Sequence, residues 1–175
     1  MLSRSSDAAQ RDSEQISAWP TTPRWNVLHA MIRGVIGGLI ATGLMTIYRF
    51  PLFRALPPTA EFWATFVGGG EPEEYPVVGL LLHVLYGSVG GAVFGAGFSL
   101  INFKSERDRR LGALALSTVY GLALSVFGTQ VIFKRLLGKE LEPDEEAVFH
   151  VAHVIYGLTL GTWMISRERI GEVYE

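Results

Sequence analysis

The chain has 175 residues, 49% of them apolar and only 18% charged, with a net charge of −2 and no cysteine. The missing cysteine excludes disulfides, thiolate metal sites and thiol redox chemistry, and the charge exerts no long-range pull toward nucleic acid. So few charges, gathered in a few places, exclude an ordinary soluble domain and point to a lipid bilayer.

Residues 1–26 are rich in Ser, Asp, Gln, Arg and Thr and carry Pro20 and Pro23 at their end. Such a segment cannot bury enough apolar surface to fold alone and reads as a disordered tail. The first charge-free stretch runs from Gly34 to Tyr48. It reaches spanning length when Val27 to Arg33 are added, with the Arg33 guanidinium reaching back toward the headgroups. A cleaved signal peptide is the rival reading, but a polar tail precedes the apolar stretch and no small-x-small cleavage site follows it.

A long loop, 50–76, comes next. Pro57-Pro58-Thr59 before AEFWATFV has the form of a helix start, and Phe62, Trp63 and Phe66 give a short interfacial helix an aromatic face. Gly68-Gly69-Gly70 ends it. Further charge-free stretches lie between Pro76 and Lys104, from Leu111 to Phe133 and from Ala147 to Ser166. Each is about the 20 residues that a helix needs to cross a core of about 30 Å. The expected spans are therefore 27–49, 77–101, 111–133 and 147–166, with a second polar tail at 167–175, and the fold class is an all-α, compact four-helix transmembrane bundle.

With the N-terminus inside, ten Lys and Arg fall on the cytoplasmic side and five on the other, Lys104 to Arg110 carrying most of the excess. Both termini are thus expected in the cytoplasm, at the plasma membrane. That basic loop is a topology signal that can touch anionic lipid and does not indicate nucleic acid.

Two segments repeat one another: HVLYGSVGGAVFG from His83 and HVIYGLTLGTWMI from His153. A weaker likeness joins IATG after Gly34 to FGTQ after Gly121, so the second helical hairpin reads as a divergent copy of the first. Small residues recur every fourth position in each span: Ala30, Gly34, Gly38 and Thr42; His83, Gly87, Gly91, Gly95 and Ser99; Ser117, Gly121, Ser125 and Thr129; His153, Gly157 and Gly161. Within lipid, backbone approach at small residues supplies much of the contact between helices. All four stripes are expected to face the bundle centre, with Leu, Val, Ile and Phe toward lipid.

PPTAEFW, the triple glycine with its acidic turn, and HVLYGSVGGAVFG together resemble uncharacterised four-helix membrane proteins of haloarchaea, over about residues 27–166. The resemblance implies the same four-span layout and an archaeal plasma membrane. It implies no activity, cofactor or catalytic residue.

Ionisable groups inside a bilayer are costly, which draws attention to His83, His150 and His153, with Tyr86 and Tyr156 beside them. His83 and His153 start their stripes and should point inward at equal depth, about 10 Å along their helices. Three readings stay open. In the first, the protein is a structural or interaction component and the histidines hydrogen-bond across helices. In the second, His83 and His153 grip a haem b on both faces, or His83, His150 and His153 bind a divalent metal with Glu145 or Glu146 as fourth ligand. The third is transport of a small solute or proton, in an oligomer, along Thr42, Thr46, Ser88, Ser117, Ser125, Thr129, Gln130 and Thr159. The first needs no cofactor and only the lipid bilayer as partner, with a homo-oligomer or another membrane protein as further partners. No catalytic constellation is present: the glycine clusters lie inside apolar spans and fail the context of a phosphate loop, and Ser88 near His83 is no hydrolase pair.

Overall fold

The computed structural model describes residues 23–52 and 58–166. The tails expected at 1–26 and 167–175 lie outside the described residues, apart from the few that open the first helix. All described elements are helical. Helix α1 spans Pro23–Arg49. The short α2, Pro58–Trp63, runs on as a π-turn, Ala64–Gly68. After a 3₁₀ turn at Pro72–Glu74 comes α3, Pro76–Ser99. Helix α4, Glu106–Phe127, continues as a π-helix, Gly128–Leu136, and α5 spans Pro143–Ser166. Four of these helices are long and apolar enough to cross a bilayer, and the chain is a multi-pass membrane protein.

Proline sets most of the starts. It is the first residue of α1, α2, α3 and α5, where its fixed φ suits a helix and its missing N–H is not needed. Helix α4 begins differently, with the Ser105 hydroxyl accepting from the Asp108 N–H at 3.1 Å and with Glu106 and Asp108 complementing the helix dipole. Gly69, at φ 68°, supplies the left-handed residue that stops the α2 segment.

Helix α1 packs against α3 on one side and α5 on the other, α5 packs in turn against α4, and α3 and α4 meet only sparsely. The small-residue stripes account for two of these interfaces. A Cβ on Gly91 would lie 2.8 Å from the Gly38 Cα, one on Gly95 would lie 3.3 Å from the Gly34 Cα, and one on Gly87 would run into Thr42. At the α4–α5 crossing, a Cβ on Gly157 would lie 2.8 Å from the Thr118 Cα and one on Gly121 3.3 Å from the Gly157 Cα, and Gly161 sits on Ala113 and Ser117. The stripes therefore do not converge on one centre, as the sequence suggested. They pair, α1 with α3 and α4 with α5, because backbone-to-backbone approach joins two helices at a time.

The pairing fixes the internal register. Gly91 lies on Gly34 and Gly38, and its repeat partner Gly161 lies on Ala113 and Ser117. Gly34 thus corresponds to Ala113, Gly38 to Ser117 and Thr42 to Gly121, about two turns away from the register that IATG and FGTQ implied. In this register Gly37 answers to Leu116 and Ala41 to Tyr120. Gly37 lets α1 lie against Leu160 and Trp163 of α5, whereas α4 carries the larger Leu116 and Tyr120 at the corresponding positions.

The termini end of the α1–α5 contact is tied by two hydrogen bonds. The Arg33 guanidinium donates to the Met164 carbonyl at 2.8 Å, in the last turn of α5, where a cation is favoured. The Trp163 indole N–H donates to the Arg33 carbonyl at 3.1 Å. At the opposite end α2 lies across α3, with Ala60 fully buried on Gly79 and the Thr59 hydroxyl donating to the Gly79 carbonyl at 2.5 Å. Glu61 pairs with Lys139, which links α2 to the connection between α4 and α5.

Candidate functional site: a lateral cleft between α3 and α4

Where α3 and α4 part, their gap is treated differently along its length. Toward the termini end it is filled by aromatic rings: Phe94 lies 5.5 Å from Tyr120 and 5.7 Å from Phe98, and Phe98 lies 5.3 Å from Phe103. Two phenols brace it from the α4 and α5 side. Tyr120 donates to the Gly90 carbonyl at 2.9 Å and Tyr156, almost fully buried, to the Gly87 carbonyl at 2.6 Å.

Toward the α2 end the gap stays open as a cleft of about 400 Å³. Leu82, His83, Leu85, Tyr86 and Val89 of α3 form one wall. The α4 wall is Leu124 followed by Gly128, Ile132 and Phe133 of its π-helical extension. Pro58, Thr59 and Phe62 of α2 roof the cleft, and Phe149 and His153 of α5 close its back. Leu85, Tyr86 and Val89 are also well exposed, so the cleft opens sideways toward the lipid-facing surface. A π-helix is rare, and such stretches recur at functional sites.

His83 and His153 are 8% and 6% exposed, and both rings line this one cleft. The His153 Nδ1 lies 2.8 Å from the Phe149 carbonyl oxygen. A carbonyl can only accept, so Nδ1 carries the proton, and the neutral ring presents the Nε2 lone pair. His83 makes no hydrogen bond among the described residues, and either of its nitrogens is free to carry the proton.

His150 belongs elsewhere. Its Nδ1 lies 2.5 Å from the Ser125 hydroxyl of α4, and its Nε2 lies 3.5 Å from a Glu146 carboxylate oxygen. No three His, Asp or Glu side chains gather as metal ligands among the described residues. The site expected from His83, His150 and His153 therefore does not assemble. Three residues along a helix turn a side chain by about 300°, which carries His150 about 60° away from His153 and toward α4.

Four of the other polar residues expected to line a path are spent locally. The hydroxyls of Thr42, Thr46, Ser117 and Thr129 donate to carbonyls of their own helices, and Gln130 is exposed. His29, near the start of α1, is exposed as well.

The sequence did not mark Arg49 as part of this region, because it counted only as a loop charge. Its guanidinium carbon lies 5.5 Å from the centre of the Phe149 ring, whose centroid is 4.4 Å from that of His153. The Arg49 Nε is buried without a hydrogen-bond partner among the described residues. A cation thus stands behind the back wall of the cleft. Comparison with protein-family models, curated proteins and solved structures gives no match to the chain.

Proposed function

We propose that the chain is a non-catalytic interaction component of the plasma membrane that takes an apolar-tailed molecule sideways out of the lipid into the cleft between α3 and α4. The observation that carries this reading is the cleft itself: apolar walls open to lipid, a roof at one end, and two buried imidazoles at the back. Binding sites for small molecules combine such apolar lining with a few convergent polar groups. The hydroxyls of Thr42, Thr46, Ser117 and Thr129 are turned to their own helices, which favours binding over transport.

The excess of Lys and Arg in the α3–α4 loop supports cytoplasmic termini and, with them, an outer-leaflet position for the α2 end and the cleft. The likeness to haloarchaeal four-helix proteins supports the plasma membrane as location.

Photolabelling of the full chain in phosphatidylcholine nanodiscs with a diazirine-bearing hexadecanol tests the reading. Labelling at Val89 and Ile132 should saturate and be competed by unlabelled hexadecanol, while labelling at lipid-facing Val119 should rise linearly. Val89→Trp should fill the mouth and abolish the saturable part. Labelling that is linear everywhere would refute a cleft site, and a Soret band in the purified protein would assign the histidines to haem instead.

A further inference from the structure

We infer that the cleft recognises its occupant through one neutral hydroxyl, an alcohol or phenol at the head of an apolar tail, that donates to His153 and accepts from His83. The inference rests on the cleft being a binding site and adds the chemistry of the head. The bond from His153 Nδ1 to the Phe149 carbonyl leaves Nε2 as an acceptor. A group placed there must therefore donate a proton. The His83 ring, held by no hydrogen bond among the described residues, can turn an N–H toward the same space. A buried N–H left unpaired is costly, so the same head should also accept.

A hydroxyl does both at once. A carboxylate, phosphate ester, ether or ketone only accepts and would set lone pairs against the His153 Nε2. An ammonium only donates, and it would enter beside the Arg49 guanidinium that stands over Phe149. The remaining lining is apolar apart from Thr59 and Tyr86, and the Thr59 hydroxyl already donates to Gly79.

The test uses the full chain in phosphatidylcholine nanodiscs, with ¹⁵N-labelled imidazoles, of which the sequence holds only four. The probes are 4-dodecylphenol and its methyl ether, 4-dodecylanisole, which share a tail and differ in the donor. The phenol should shift the His153 Nε2 resonance saturably, and the anisole should bind about tenfold more weakly, the factor set by about 1.4 kcal/mol. H153Q, whose amide oxygen reaches the Nε2 position, should keep the preference. H153F should bind both probes equally. Equal affinity of the two probes for the unmodified chain overturns the hydroxyl while leaving the cleft intact. Saturable binding without any shift at His153 overturns it too, because water alone then bridges the rings. Failure of both probes to bind, with or without Val89→Trp, overturns the cleft reading itself.

Discussion

Gly91→Ala is the sharpest probe of how this bundle is held. The added Cβ would lie 2.8 Å from the Gly38 Cα and 2.9 Å from the Gly38 nitrogen, and it would meet the Gly34 carbonyl as well. Favourable carbon contacts sit near 3.5–4.0 Å, so α1 and α3 would have to move apart by about 1 Å at their crossing. Every blocking atom is backbone, and no rotamer change can absorb the clash. A gap of that size forfeits a quarter to a half of each neighbouring contact, and apolar lipid offers no hydrophobic gain to offset it. Overpacking of this kind costs about 1–3 kcal/mol. Gly97→Ala in the same helix is the control: its Cβ would meet nothing within 4 Å, and alanine is a better helix former by about 1 kcal/mol. The full chain in maltoside detergent, unfolded by increasing dodecyl sulfate and followed by circular dichroism, should lose stability with Gly91→Ala and lose none with Gly97→Ala. Gly91→Leu should be worse still, and Leu81→Ala, at a position 63% exposed, should do little. Equal tolerance of Gly91→Ala and Gly97→Ala would refute the glycine contact as the source of α1–α3 stability.

Topology is tested by single cysteines, which are simple to place in a chain that has none. Pro72→Cys should react with an impermeant maleimide from outside intact cells and Glu106→Cys only after lysis, and the reverse pattern would invert the bundle. The splay of α4 is tested by Leu116→Gly combined with Tyr120→Ala, neither of which lines the cleft. Helix α4 should then close on α3 and saturable photolabelling at Val89 should disappear, whereas unchanged labelling would show that these side chains do not hold the gap open.

The four spans were legible because a charge inside lipid is so costly that charge-free stretches nearly delimit the helices. The stripes were legible for a similar reason, since Gly87, Gly91 and Gly95 have no other use for their spacing than close approach. A stripe, however, carries no address. Nothing in Gly34 and Gly38 states whether their partner is α3, α4 or α5, and the expectation of a common centre followed from that silence. His83 and His153 were placed at matched depth by their identical strings, and the structure brings both into one cleft. His150 was misplaced because one turn of helix is not a whole number of residues. The π-helix at Gly128–Leu136 left no periodic signal, and Arg49 was hidden by its position at the end of a span, where basic residues usually serve only topology.

The cleft is best understood as a broken symmetry, and its outer half shows why the break matters. In the register set by the glycine contacts, Met45 of α1 corresponds to Leu124 of α4, and Arg49 to Gly128. Met45 is 2% exposed, sealed within the α1 side of the bundle, while Leu124 at the equivalent place forms cleft wall. Arg49 covers Phe149 from the α1 side with a long cationic chain. From the α4 side, Gly128 covers the same ring with no side chain at all, and a Cβ there would lie 2.8 Å from the Phe149 Cζ. One half of the repeat therefore fills its seam with Gly37, Ala41, Met45 and Arg49. The other half has larger side chains at Leu116 and Tyr120 and none at Gly128. The two imidazoles of the matching strings have different surroundings: His153 is fixed by its bond to Phe149, and His83 makes no hydrogen bond among the described residues.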